Sequence, residues 1–512
     1  MGKHQHTNTH PAEQASTQQG TAGTTEAQGF LASVLKYSVA TYVGFGISAL
    51  ALILRGWLGP EKTADPYLFM VSTSTLMNIG ILGLDQSLLR FFSEPPQGHT
   101  GRSLFSLCLR ISAFVMLCAG VVCSLLFPQQ LAQLLSFDAL GPQIVPLLFL
   151  NAFFYMLMRY LNVLLRLEGR LGLYTAQTVV MQACFNLVYL FAGFFTDKTI
   201  YFALLAIASF ALSVGVFALR AGVRLRLPAG TASAGTAYKR LVPYGLALAP
   251  TGIMLMLNTT FSSAYVGNTL GLVAKGVFGY GVSLSQMVSA IQAGFSTFWG
   301  PYVFANYKTQ QTRIMKVQDV LCFLIFSFFC CLVAFEDVLF WLFPAYRECL
   351  TFFPLLMLNV VFFILCEGTV YGISIAKKPL YDTVGIALYA VLNIALCLYL
   401  TPLYGLAGAA FALAASAGAM FLFRTVVAQR FYRTIARPAK TAAGFALCFL
   451  VTFAGLALHA NFLLKGLCCL AALVLYCLLY RAELVRCVQL ALSILKGIFR
   501  KKTHAKTTTE HS

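Results

Sequence analysis

Residues 380–428 read LYDTVGIALYAVLNIALCLYLTPLYGLAGAAFALAASAGAMFLFRTVVA. The stretch is two apolar runs, 380–400 and 404–428, parted by a short break at Thr401-Pro402-Leu403. A membrane helix needs about 20 consecutive apolar residues, so each run is long enough to span a bilayer. Working outward, twelve more runs of this kind appear. Six lie at 31–54, 67–92, 104–127, 144–166, 173–195 and 200–220. After a basic linker come 241–266, 273–304, 317–343 and 350–375, and 441–460 and 462–480 follow the quoted stretch. Fourteen spans are therefore expected in an all-α, polytopic membrane protein. The run 273–304 exceeds one bilayer thickness and is predicted to extend into water or to kink.

Composition agrees with this class and excludes others. Of 512 residues, 59% are hydrophobic and 10% charged, where an average globular domain is about 25% charged. Mean hydropathy is +0.77. A soluble enzyme, a disordered chain and a disulfide-rich secreted domain are all ruled out. The 15 Cys are scattered through apolar runs, as at Cys118, Cys184, Cys330, Cys331, Cys468 and Cys469, with no CxxC pair. They read as small buried hydrophobes, and neither a metal site nor a cofactor is expected.

The ends differ from the middle. Residues 1–29 are rich in Thr, Gln, Gly and Ala and read as a disordered polar tail. Its His4, His6 and His10, like His504 at the other end, read as solvated rather than as metal ligands. No basic region precedes a short apolar stretch with a cleavage site, so the first apolar run is expected to be a retained span. Residues 482–512 are basic and amphipathic and suit the anionic cytoplasmic leaflet.

Net charge is +19, and its placement decides its meaning. With the N-terminus inside, 28 of the 36 Lys and Arg fall on cytoplasmic loops and tails, five on the opposite side, and Arg110, Arg159 and Lys275 within spans. This asymmetry places both termini in the cytoplasm and accounts for the charge without nucleic acid. No loop exceeds about 20 residues. A membrane-embedded glycan polymerase would need a sizeable external loop for its catalytic groups, so the chain is not expected to be an enzyme.

The chain also repeats itself. At an offset of 207 residues Leu173-Tyr174 meets Leu380-Tyr381, Ala183 meets Ala390, Asn186 meets Asn393, and Tyr37 meets Tyr244. Each unit holds six spans, an even number, so the units share one orientation about an axis along the membrane normal. The expected organisation is a bundle at 30–220, a mobile cytoplasmic linker at 221–240, a second bundle at 241–430 and two additional helices at 431–481.

Segments 35–59 (LKYSVATYVGFGISALALILRGWLG) and 76–94 (LMNIGILGLDQSLLRFFSE) resemble the opening of bacterial polysaccharide-biosynthesis and oligosaccharide flippases. These belong to the multidrug/oligosaccharidyl-lipid/polysaccharide exporter (MOP) superfamily. Segments 239–267 and 275–303 are similar to the start of their second half. Most specific is 392–432, with its Asn-Ile, Pro-x-Tyr-Gly and Gly-Ala-Ala pattern. The resemblance spans about residues 30–435. It implies two pseudo-symmetric six-helix bundles plus two C-terminal helices, alternating access, and a cavity lined by the first two helices of each bundle. It further implies a place in the bacterial cytoplasmic membrane and a lipid-linked oligosaccharide as substrate. Glycan polymerase and glycosyltransferases would be pathway partners. A drug exporter and a peptidoglycan-precursor flippase are the alternatives within the superfamily. Where the family often has an Asp-Arg pair in its seventh helix, this chain has Asn258-Thr259-Thr260, so no charged role carries over there.

Ionisable groups within spans face cavities or partners. Arg159 and Glu367 sit at nearly equivalent places under the 207 offset and could pair across a cavity, or each could be satisfied locally. Asp85 could bind a coupling ion or pair with Arg90. Arg55 and Lys275, toward the outer face, could hold a substrate pyrophosphate or snorkel to the interface. Lys36 could make the inward-facing phosphate contact or act as a plain anchor. Glu336 and Asp337 are expected to be solvated. Gly44, Gly46, Pro250, Gly252, Gly276, Gly279 and Gly281 fall in the first, seventh and eighth spans, where they could permit bending or tight packing.

Reporter fusions should place both termini and the 221–240 linker in the cytoplasm. A fusion after His504 that is active only outside would overturn the orientation.

Overall fold

The computed structural model describes residues 42–137, 140–195, 200–223 and 231–489, and every regular element among them is helical. The first half holds α1 (Tyr42–Leu58), α2 (Pro60–Ile81), α3 (Leu84–Phe91), α4 (Gly101–Leu126), α5 (Pro128–Leu134), α6 (Ile144–Leu167), α7 (Leu171–Asn186), α8 (Ala192–Phe195) and α9 (Ile200–Ala221). The second holds α10 (Thr231–Leu270), α11 (Leu272–Asn306), α12 (Gln311–Leu342), α13 (Phe353–Thr369), α14 (Tyr371–Ile375) and α15 (Leu380–Phe431), and the chain continues with α16 (Pro438–Ala457) and α17 (Phe462–Leu479). Among the described residues nine helices are long and apolar enough to cross a membrane, and the bent pair α2 and α3 adds a tenth.

Three local features relate these helices to the spans expected from the sequence. The 52-residue α15 is interrupted at Gly405, whose φ of 60° and ψ of −138° are open in practice only to glycine. The Thr-Pro-Leu-Tyr-Gly break thus divides two spans, as the sequence suggests. At Leu82-Gly83 both residues have positive φ, and α2 and α3 meet at 56°. A Cβ on Gly83 would lie 2.3 Å from the Gly245 carbonyl oxygen, so only glycine lets α3 lie against α10. The long run at 273–304 resolves as the uninterrupted 35-residue α11, roughly 50 Å at 1.5 Å per residue, and so extends beyond the hydrocarbon core.

Buried apolar side chains form two large clusters. One draws almost wholly on residues 51–221, the other on residues 266–480. Helix starts repeat between the halves: Gly101 and Gln311 lie 210 residues apart, and Ile144 and Phe353, like Leu171 and Leu380, lie 209 apart. Helix α2 joins the halves by packing against both α10 and α11.

Two expectations are corrected. Residues 231–240, expected to belong to the linker, form the first turns of α10, a segment free of proline with three alanines and therefore able to be helical. Glu336 and Asp337 are not solvated. Lys465 on α17 donates to Glu336 Oε1 at 2.9 Å with both side chains fully buried, and it also pairs with Asp337. The ammonium comes from a helix 129 residues downstream, which adjacency in sequence does not reveal. Lys440 at the start of α16 pairs with Glu483, just beyond α17, at 2.7 Å. The first pair thus fastens α17 to α12 of the second bundle, and the second ties α16 to the residues that follow α17.

Lys465→Met should lower thermal stability in detergent, because removing one partner of a buried ion pair costs about 3–5 kcal/mol. Adding Glu336→Gln should recover part of the loss in the same melting assay, and a Lys465→Met protein that melts like wild type would contradict this role.

Candidate functional site

A cavity of about 480 Å³ lies where the halves meet, bounded by α1, α2, α6, α7, α10 and α11. Its lining is neutral on most sides. Ser48, Ser74, Thr178, Gln182 and Asn186 contribute hydroxyl and amide groups, and Tyr155 stacks on Phe185 with ring centres 5.1 Å apart. Among the described residues no carboxylate belongs to the lining.

One cation does. Arg55, at the end of α1, lines the cavity and is only 4% exposed. Its Nη1 donates to Ser283 Oγ on α11 at 2.7 Å. The guanidinium lies 4.7 Å from the Tyr67 ring centre and 5.8 Å from that of Tyr280. Among the described residues its Nε and Nη2 have no hydrogen-bond partner, and no ion pair includes it. A buried guanidinium with unsatisfied donors is strongly unfavourable unless an anion or dipole meets it. Its planar donor fork matches phosphate.

Above and below the cavity the halves touch. On the side of Arg55, Tyr346 stacks on Tyr280 at 3.9 Å and donates to the Arg55 carbonyl at 3.0 Å. Next to this layer Lys275 Nζ on α11 donates to Asp65 Oδ1 on α2 and to the Ser136 carbonyl, both at 2.6 Å. On the opposite side Ser87 Oγ donates to the Leu241 carbonyl at 2.8 Å, and Phe91 meets Tyr244 edge to face.

The residues singled out from sequence therefore separate. Arg55 lines the cavity. Lys275 lies outside the cavity lining and is buried against Asp65. Arg159 lies one turn beyond the cavity-lining Tyr155 and pairs with Asp85 at 3.1 Å. Glu367 accepts from Tyr371 at 3.1 Å and Gln292 at 3.4 Å. The Arg159–Glu367 pairing drawn from the repeat is thereby corrected, because each finds a partner within its own half. The Asp85–Arg90 pairing is corrected as well. Five residues along a helix do not share a face, and Arg90 instead meets Glu94 four residues on, at 3.3 Å. Lys36, His4, His6, His10 and His504 lie outside the described residues. Sequence reading missed Asp65, Ser283 and the tyrosines around Arg55. An Asp in the first turns of an apolar helix was the one available signal.

No protein-family model matches the sequence, and no curated protein matches it. Several solved structures resemble it. One is described as "Lipid II flippase MurJ, inward closed conformation", with a TM-score of 0.68 and 12% identity, covering 88% of this chain and 99% of that one. Another is a multidrug resistance MATE family transporter of the MOP superfamily in an inward-facing conformation, with a TM-score of 0.54 and 14% identity, covering 76% and 94%. The chain shares the fold of these two structures. It is a multi-pass membrane protein.

Arg159→Ala should reduce the amount of folded protein in the membrane, since Asp85 is then buried unpaired. Asp85→Asn added to it should restore abundance. Normal abundance of Arg159→Ala alone, read by size-exclusion of the solubilised protein, would argue against a structural pair.

Proposed function

We propose that this protein is a flippase that carries a polyprenyl-pyrophosphate-linked oligosaccharide from the cytoplasmic to the outer leaflet by alternating access. The observation that carries this reading is Arg55, a buried cation that, among the described residues, keeps two donors free in a cavity lined by no carboxylate. A pyrophosphate supplies the missing acceptors. Hydroxyl and amide side chains with flat aromatic faces suit an uncharged sugar beside it. A cationic drug would meet the wrong charge. The lipid tail would stay in the bilayer, and both termini would face the cytoplasm of a bacterium. Polymerase and glycosyltransferases of the same glycan would act on either side of this step. Of the two carboxylates considered for ion coupling, Asp85 is neutralised by Arg159, whereas Glu367 is held by neutral donors alone. Glu367 is therefore the better candidate.

A second reading, flipping of a peptidoglycan precursor, is favoured by the fold likeness to the lipid II flippase. Both substrates carry the pyrophosphate that Arg55 would hold, so the sugar distinguishes them.

Purified protein in liposomes should move a polyprenyl-pyrophosphate-linked oligosaccharide faster than protein-free liposomes, with lipid II and a cationic dye run in parallel. Arg55→Ala should slow flipping roughly 10- to 100-fold, in keeping with about 1.5–3 kcal/mol for hydrogen bonds to a charged group. Arg55→Lys should retain part of the rate if charge suffices, and little if the bidentate fork is needed. Faster movement of lipid II than of the oligosaccharide would select the second reading. Transport of the dye alone, or full flipping by Arg55→Ala, would overturn both.

A further inference from the structure

The two seams that close the cavity differ in chemistry. The seam beside Arg55 lies at the outer face if the basic loops are cytoplasmic. It contains an ion pair between the halves, Asp65 on α2 with Lys275 on α11, whose side chains are 4% and 2% exposed. The Ser136 carbonyl accepts from the same ammonium, and the Phe137 ring centre lies 5.6 Å away. The backbones are as close as they can be here. A Cβ on Gly276 would lie 2.3 Å from the Pro60 carbonyl oxygen, and one on Gly267 would lie 2.7 Å from the Lys275 side chain. The cytoplasmic seam is closed by neutral groups: the Ser87 hydroxyl on a carbonyl, an aromatic edge, and Gly83 against Gly245.

Separating the neutral seam exposes groups that water can satisfy at little loss. Separating the outer seam strips a buried ammonium and a buried carboxylate of each other, which is strongly unfavourable until water or a new counter-charge reaches them. We propose that the Asp65–Lys275 pair is a latch on the outer seam that makes the resting protein open toward the cytoplasm and not outward. This rests on the alternating-access reading above. It sets the resting side of the cycle, because the cavity meets cytoplasmic lipid before it can open to the other leaflet. The latch need not be renewed at the inner seam, where closure is neutral and reversible.

Accessibility of a cavity thiol tests this independently of substrate. Gln286→Cys, on the cavity side of α11, is treated with a membrane-impermeant maleimide in right-side-out and inside-out vesicles. Labelling of the parent protein, which has 15 cysteines of its own, is subtracted. Label should enter from the cytoplasmic side and hardly from outside. The double change Asp65→Asn, Lys275→Met removes both charges together and leaves none buried alone. It should raise outside labelling roughly tenfold, the shift expected when an outward-open state gains population. Lys275→Arg keeps the charge and should stay near the parent. If the double variant does not accumulate, Asp65→Asn alone decides in the same assay. Outside labelling unchanged by loss of the pair would overturn the latch. So would an equal rise in Lys275→Arg, which would assign the effect to packing. A latch that behaves as expected in a protein that moves no lipid-linked glycan in liposomes would leave the gate standing and remove the substrate reading.

Discussion

A charge taken out of water into a membrane protein must be met by another charge or by several hydrogen bonds. Most of this structure can be understood from that requirement. Lys275 meets Asp65, Lys465 meets Glu336 and Asp337, Lys440 meets Glu483, Arg159 meets Asp85, and Arg424 meets Asp382. Each pair ties together helices that are distant along the chain or lie on separate elements. Arg55 departs from the pattern. It has one hydroxyl and two aromatic faces, with two nitrogens unsatisfied. A cation left short of partners, at a cavity and between the halves, is where an anionic ligand gains most.

The pairs also divide by what they join. Lys465 with Glu336 holds α17 on α12, Lys440 with Glu483 ties α16 to the residues that follow α17, and both helices pack on α12 of the second half. Arg159 with Asp85 lies within the first half, and Arg424 with Asp382 within the second. Lys275 with Asp65 joins the halves to each other. Only an interaction of this last kind must break when the halves rock, so similar chemistry serves as a rivet in some places and as a gate in one.

Glycine marks the same division. Gly405 ends one span and begins the next, in a backbone conformation that a side chain would strain. Gly83 and Gly276 instead sit where the backbone of one half meets the backbone of the other, one at each seam. Small residues there let helices approach without hydrophobic attraction to draw them together, since lipid tails are as apolar as the side chains.

Much of the fold was legible in the residues themselves. Bilayer thickness sets span length, so apolar runs locate the helices, and Thr401–Gly405 marks the turn between two of them. Basic residues and their loops carry an orientation, and the repeat of 207 residues lies close to the 209 and 210 between helix starts. Arg55 was recognisable as a candidate because a cation at the end of an apolar run is costly wherever it points. Its partners were not. Whether a charge snorkels, pairs or lines a cavity depends on what a helix a hundred or more residues away presents to it, as with Asp65 to Lys275 and Glu336 to Lys465. Chain composition and periodicity therefore determine that there are spans, their number and their repeat. The tertiary structure alone decides which charges cancel and which one remains, because cancellation falls off within a few ångströms and helix packing sets those distances.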